Sequence, residues 1–224
     1  MKRLLEIACF NPQAARIVEA SGAHRIELCS NYKAGGVTPS LEIIKQVRKE
    51  IKLPLHVIIR PREGDFIYTS KEIALMKESI VVCREEGVDG IVLGVLTPGK
   101  KVNINACEDL LKNRGQMNAT FHRAIDECRD RTASLESLVQ LGFTAVLTSG
   151  GKGPAMEGLK TIRQLQVSFG AKITIMPGGG VRSSNLTELL ETGCNHYHSA
   201  AITGSDELPD EQEIKKLLAI LDKK

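Results

Sequence analysis

Several residue types and patterns are scarce in this chain of 224 residues, and each scarcity excludes a class of protein. There is no tryptophan, only 4% of the residues are aromatic, and the net charge of 30 − 27 = +3 is spread without a basic run. Nucleic-acid surfaces usually combine clustered basic residues with aromatic side chains, so no nucleic-acid partner is expected. The longest apolar stretches, such as 90–96, cover about seven residues, whereas a membrane-spanning helix needs roughly 20. No membrane partner is expected either.

Cysteine motifs for zinc ribbons and thioredoxin-like redox sites are also missing, because no two cysteines form a CxxC pair. The six cysteines are Cys9, Cys29, Cys83, Cys107, Cys128 and Cys194. Glu6 interrupts the apolar run that follows the basic start, and no small-residue cleavage site follows, unlike in a secretory signal peptide. We therefore expect a cytoplasmic protein with free thiols.

The hydrophobic pattern predicts a repeating strand–helix order from one end of the chain to the other, with no linker. Eight runs read as strands: Arg3 to Ala8, Arg25 to Cys29, Leu55 to Arg60, Gly90 to Leu96, Asn118 to His122, Ala145 to Ser149, Lys172 to Met176 and Asn195 to Ser199. Eight units in 224 residues give 224/8 = 28 residues each, enough for an α/β chain folded as one (β/α)8 TIM barrel over residues 1–224. The rival doubly wound dinucleotide-binding sheet carries GxGxxG after its first strand, and this chain does not.

Helix-start signals support the same order. Asn11 before Pro12 and Thr38 before Pro39 each predict a capping side chain, Gly22 closes the first helix, and Ser70 opens the third. The remaining helices are predicted at Asn105 to Lys112, Ala133 to Leu141, Pro154 to Val167, Ser184 to Thr192 and Pro209 to Leu221.

In a barrel of this type, active groups gather at the carboxyl ends of the strands. Alternate residues of a strand share one face, which predicts a set of side chains pointing into the barrel. This set is Glu6, Glu27, Arg60, His122 and His198. Two interpretations remain open: Glu6, Glu27, His122 and His198 are acid–base catalysts, or the set is a buried structural ion-pair network.

Anion-binding candidates lie at the same strand ends. Arg60 and Arg62 follow the third strand and Arg123 follows the fifth, and arginine suits carboxylate and phosphate groups. Loops after the sixth, seventh and eighth strands add hydroxyl and bare backbone donors at Thr148, Ser149, Gly178, Gly179, Gly180 and Ser199. The alternatives are that Arg60 pairs with Glu27, that Arg62 is solvated, and that the glycines serve a tight turn.

Long strings of the sequence, taken together and in order, resemble one known family. They are Leu5-Glu6-Ile7, Arg25-Ile26-Glu27-Leu28-Cys29, Gly35-Gly36-Val37-Thr38-Pro39-Ser40, Ile59-Arg60-Pro61-Arg62-Glu63-Gly64-Asp65-Phe66, Thr120-Phe121-His122-Arg123-Ala124-Ile125-Asp126, Leu147-Thr148-Ser149-Gly150, Met176-Pro177-Gly178-Gly179-Gly180 and His198-Ser199-Ala200. Over nearly the whole chain they resemble the CutC copper homeostasis family. The resemblance implies a TIM-type barrel, a cytoplasmic homo-oligomer and a role in copper handling.

The resemblance also implies Cu(I) binding by cysteines near the ends of the first two strands, here Cys29 and Cys9. Thiolate sulfur suits soft Cu(I). Strand alternation, however, places Cys9 on the face opposite Glu6, toward the helices, unless the strand has already ended.

Two hypotheses follow. The first is a copper-handling protein that binds Cu(I) through Cys29, assisted by Cys9 or a nearby histidine. The second is a barrel enzyme for a small anionic metabolite, phosphorylated ones included, with His122 and Glu27 as acid and base and Arg60 as the anchor.

Overall fold

A computed structural model describes residues 3–223 and shows eight strands alternating with eight α-helices over that range. The strands are β1 (Leu4–Cys9), β2 (Arg25–Leu28), β3 (Leu55–Ile58), β4 (Gly90–Leu93), β5 (Asn118–Phe121), β6 (Ala145–Thr148), β7 (Thr174–Pro177) and β8 (His196–Ser199). The helices are α1 (Pro12–Ala20), α2 (Leu41–Glu50), α3 (Ser70–Glu85), α4 (Ile104–Leu111), α5 (Arg131–Leu141), α6 (Leu159–Phe169), α7 (Leu186–Leu190) and α8 (Glu211–Leu221). None of these helices is long and apolar enough to cross a membrane.

The strands form one parallel sheet that curls into a nearly closed barrel. Their order is β7-β6-β5-β4-β3-β2-β1-β8, so each strand lies beside its neighbours in the chain and β8 returns to β1. β7 and β8 touch, although within residues 3–223 no hydrogen-bonded register joins them. The predicted (β/α)8 barrel is confirmed.

Side-chain alternation along β1 separates two layers. Leu5, Ile7 and Cys9 are fully buried in the hydrophobic core between the strands and the helices. Ala8 lines a cavity at the mouth of the barrel, and Glu6 shares its face. The barrel interior thus receives the polar side chains, while the apolar side chains hold the helices.

The helix starts agree with the sequence in part. Asn11 caps α1, accepting a hydrogen bond from Ala14 N, as predicted. The predicted Thr38 cap is wrong, because α2 starts at Leu41 and its cap is Ser40. Thr38 is held against the end of β3 by two bonds with Arg60 at 2.8 and 2.9 Å, so the chain there stays extended.

Other boundaries also move. β3 and β5 end two residues and one residue early, so that Arg60 and His122 stand in the loops just beyond their strands. A 3-10 turn follows directly over Arg123–Glu127. Helix α6 begins five residues later than predicted, because Ala155 N–H donates to Gly179 O at 2.8 Å and ties residues 154–158 to the loop after β7.

Candidate functional site

A cavity of about 260 Å³ opens at the carboxyl ends of the strands. Pockets for drug-sized ligands usually measure about 300–1,000 Å³, so this cavity suits a small metabolite. Its wall includes Glu27, Arg60, His122, Arg123, Arg182 and His198. The barrel therefore brings most of the predicted site residues to one place.

Glu6, His198 and Glu27 form a chain of side chains, of which His198 and Glu27 line this cavity and Glu6 is buried next to them. His198 Nδ1 lies 2.8 Å from Glu6 Oε1, and His198 Nε2 lies 3.6 Å from Glu27 Oε2. The three meet because β1 lies between β8 and β2, with Glu6 directly beside His198 in the register. One imidazole thus connects two carboxyl groups.

Arg25 completes this cluster and was not among the predicted site residues. It stands beside Glu6 in the β1–β2 register, and its Nε donates to Glu6 Oε2 at 2.6 Å. Arg25 and Glu27 share one face of β2, so strand alternation was a signal that could have found it. The guanidinium supplies a permanent positive charge beneath the cavity.

The two carboxyl groups are driven to different protonation states. Burial raises the pKa of Glu27, the charge of His198 opposes the rise and the charge of Glu6 adds to it, and the net pKa is about 7. Burial also acts to raise the pKa of Glu6, but Arg25 and the hydrogen bond from His198 outweigh it and hold that pKa well below its usual range. Burial acts to lower the pKa of His198, and the bond to Glu6 together with the charge of Glu27 raises it overall. Such a split is typical of acid–base sites.

Asp126 organises the loops after β5 and β6. It accepts hydrogen bonds from Thr148 Oγ1 at 2.5 Å, from Ser149 N at 3.0 Å and from Arg123 Nε at 2.9 Å. The hydroxyl group of Thr148 therefore donates to Asp126, and that of Ser149 donates to Asp126 or to Gly151 O. Neither of these predicted donors lines the cavity. Their visible role is to hold Arg123.

Arg123 and the glycines after β7 form one wall. A Cβ added to Gly179 would lie 3.1 Å from Arg123 Nη1, so this glycine lets the guanidinium approach the backbone closely. Gly179 and Gly180 have φ of 95° and 78°, and both line the cavity. Gly178 does not line it; its N–H donates to Thr148 O.

Arg182 and Ser199 extend this wall. Arg182 Nη1 donates to Ser199 Oγ at 3.2 Å and to Val181 O at 2.8 Å, which joins the loops after β7 and β8. Arg182 was not predicted, although a cation two residues after three consecutive glycines was a readable signal. Together with Arg123, which is paired with Asp126, it places two guanidinium groups on this side of the cavity.

The two arginines after β3 differ in their surroundings. Arg62 does not line the cavity; it pairs with Glu72 at 2.6 Å and with Asp65 at 2.9 Å.

Arg60 lines the cavity, and its Nη atoms donate to the carbonyls of Ala34, Gly36 and Gly64. Over residues 3–223 no ion pair joins Arg60 to Glu27. His122 also lines the cavity and is only 4% exposed.

The cysteines are six free, buried thiols. Cys29 lines the cavity, whereas Cys9 lies in the core between the strands and the helices, as strand alternation predicted. Burial and the charge of Glu27 raise the pKa of both thiols, which disfavours thiolates.

The possible metal-ligand atoms that converge are instead those of Glu6, Glu27 and His198, within 4.8 Å of one another. Oxygen and nitrogen ligands do not match the preference of Cu(I) for sulfur, and a two-thiolate copper site does not fit these residues.

Comparison with known proteins settles the family. A model of the CutC family matches residues 3–203. The chain belongs to the CutC family. A CutC family protein of Salmonella enteritidis PT4 is 44% identical over 198 residues, which cover 88% of this chain and 79% of the relative.

Solved structures agree with this assignment. A CutC structure from Streptococcus agalactiae, provisionally named a copper homeostasis protein, has a TM-score of 0.85 and 34% identity and covers 88% of this chain and 98% of its own. Phosphoribosyl anthranilate isomerase from Thermotoga maritima has a TM-score of 0.67 at 14% identity, covers 99% of this chain and 98% of its own, and shares the fold alone. The CutC family thus uses a barrel that also carries enzymes.

Proposed function

We propose that this chain is an enzyme that catalyses proton transfer within a small anionic metabolite. The anionic group of this metabolite is a phosphate. The observation that carries this proposal is the Glu6–His198–Glu27 chain, whose members His198 and Glu27 line a cavity of about 260 Å³. A protein that only carried a metal ion would not need two carboxyl groups at different protonation states joined by an imidazole.

Glu27 is the proposed base. Its pKa of about 7 allows it to accept a proton from a carbon of the substrate and to return it at neutral pH. His198 Nε2 faces Glu27, and Glu6 holds the other ring nitrogen, so Glu6 and His198 act as positioning residues. Arg25 keeps Glu6 charged. Among the described residues no lysine lines the cavity, and a Schiff-base route is therefore not proposed.

Phosphate is the proposed anion because of the wall formed by Arg123, Gly179, Gly180 and Arg182. Phosphate sites of such barrels commonly use the loops after the seventh and eighth strands, where backbone N–H groups and arginines face the ligand. Arg123 Nη1 lies against Gly179 while its other nitrogens are held by Asp126 and Ser149. The cation is thus positioned before a ligand arrives.

Arg123→Gln is expected to weaken binding of inorganic phosphate about 10-fold or more, because a hydrogen bond to a charged group is lost. Arg62→Gln is the matched control, since this arginine lies outside the cavity, and it should change phosphate affinity less than twofold. Calorimetric titration measures both. Equal phosphate affinities in the two variants would show that Arg123 does not bind phosphate and would contradict the proposed anion site.

A second experiment tests catalysis. A panel of phosphorylated three- to five-carbon sugars in D₂O is followed by proton NMR for exchange of carbon-bound hydrogen. Exchange should rise as the pH passes about 7, because Glu27 must be ionised to act as a base, and Glu27→Gln should abolish it. Exchange that survives this substitution would contradict the assigned base.

Copper handling is a second candidate function, favoured by the position of Cys29 in the cavity. On this hypothesis Cys29→Ala removes stoichiometric Cu(I) binding in an anaerobic titration, whereas Cys9→Ala leaves it unchanged because Cys9 faces the helix layer. Our proposal expects the opposite for Cys29: wild type and Cys29→Ala bind Cu(I) equally weakly. Strong wild-type binding that depends on Cys29 would favour the copper function.

We also propose a cytoplasmic location and a homo-oligomeric state. The six free thiols support a reducing compartment. Light scattering of the purified protein tests the oligomeric state.

A further inference from the structure

His122 carries a hydrogen-bond donor without an acceptor. Its Nδ1 accepts from Ala124 N–H at 3.2 Å, so in the neutral ring the proton sits on Nε2. Nε2 is buried and has no partner among residues 3–223. Burial and the charge of Arg60 lower the pKa of His122 to about 3, so the ring stays neutral. A Cβ at Gly94 would come within 2.6 Å of the ring, so His122 packs directly on the backbone of β4's end.

Arg60 is a second donor of the same kind. Its three hydrogen-bond acceptors are neutral backbone carbonyls, and its Nε is buried and unpartnered. Across the described part of the chain, no carboxylate lies within 4.0 Å of this guanidinium, which is only 7% exposed. A buried cation without a counter-ion is unfavourable unless an anion joins it. The positive charge of Arg60 is therefore available to an anionic group of a ligand.

Phe66 covers both donors. The centre of its ring lies 5.0 Å from Arg60 Cζ and 4.7 Å from the centre of the His122 ring. Its backbone is anchored separately, because Leu96 N–H donates to Phe66 O at 2.8 Å. The half-buried ring can therefore turn away without loss of that bond, and all three side chains line the same cavity.

We propose that Arg60 Nε and His122 Nε2 form a second oxyanion site, which binds a carboxylate or enolate oxygen of the ligand when Phe66 turns aside. Two N–H donors, one of them cationic, match a planar oxyanion, whereas phosphate is better served by the glycine wall. The inference rests on the proposed function and deepens it: the substrate carries a phosphate at one end and a carboxylate or carbonyl at the other. His122 then acts as a neutral donor.

Acetate in the presence of saturating inorganic phosphate is the probe. In wild-type protein labelled with ¹⁵N-histidine, acetate should shift the Nε2–H signal of His122. His122→Phe should weaken acetate binding about 10-fold or more, because the donor is lost. Phe66→Ala should tighten acetate binding at least about threefold, because no ring then covers the site in the unbound protein. Ile67→Ala, which removes an exposed side chain next to Phe66 that does not line the cavity, should have no effect.

Phe66→Ala keeps the test decisive even where His122→Phe does not fold, because a gain in affinity cannot come from unfolding. An unshifted Nε2–H signal, or equal acetate affinity in Phe66→Ala and Ile67→Ala, overturns the oxyanion site. Phosphate titration separates the two ideas. Loss of acetate effects with phosphate binding intact rejects only this inference, and intact acetate effects without phosphate binding reject only the phosphate wall.

Discussion

Glu6→Gln is expected to lower the free energy of unfolding by about 3–5 kcal/mol, because it leaves a buried cation without its partner. Glu6 is 1% exposed and holds Arg25 at 2.6 Å and His198 at 2.8 Å. Urea denaturation at pH 7 measures the change. Since the pKa of Glu6 is lowered in the folded state, its contribution is present above about pH 4.5 and is lost as the pH falls below that value. The difference between variant and wild type should shrink over the same range.

Glu50→Gln is the matched control. Glu50 also pairs with an arginine at 2.6 Å, but the side chains of Arg16 and Glu50 are 53% and 33% exposed. Exposed pairs typically contribute about 0–1 kcal/mol, so this variant should remain close to wild type. Similar losses for Glu6→Gln and Glu50→Gln would show that the Glu6 cluster is not the buried network described above.

Gly158→Ala should destabilise the fold by about 3 kcal/mol or more, at the upper end of the range for overpacked cores. A Cβ at this position would lie 1.8 Å from the carbonyl oxygen of Ser149 and 2.9 Å from Gly150 Cα. Both neighbours are backbone, so no side chain can rotate away. Because Ser149 N donates to Asp126, the shift should also disturb the Arg123 wall and weaken phosphate binding.

Gly99→Ala serves as the comparison for this substitution. Gly99 also lies in a turn, but the nearest atom to an added Cβ is Thr97 Oγ1 at 3.7 Å, an ordinary contact. Thermal unfolding of both variants measures the difference. A Gly158→Ala protein as stable as Gly99→Ala would mean that the loop after β6 yields easily, against the close packing described here.

Strand alternation accounts for much of what the sequence could predict. The alternation rule placed Glu6, Glu27 and His198 on the inner face, and the structure brings them together. It also placed Cys9 on the outer face. Arg25 obeys the same rule but stands at the start of its strand, where functional residues are not usually sought. Its long side chain reaches Glu6 in the neighbouring strand, which strand-end reasoning does not consider.

Loop geometry accounts for what the sequence could not predict. Arg60 and Arg62 are two residues apart and chemically identical, yet one is enclosed by the carbonyls of two loops and the other pairs with acidic side chains in solvent. Phe66 covers Arg60 only because the chain folds back after β3. Such contacts depend on turn conformations that periodicity does not encode.

The ring of strands also has a consequence for biosynthesis. Glu6 and His198, which share a hydrogen bond, are 192 positions apart, so the ribosome makes Glu6 long before His198. Until β8 has been made, a nascent chain leaves one edge of β1 unpaired and Glu6 without its imidazole partner. The Glu6–His198 bond can therefore form only after β8 has left the ribosome.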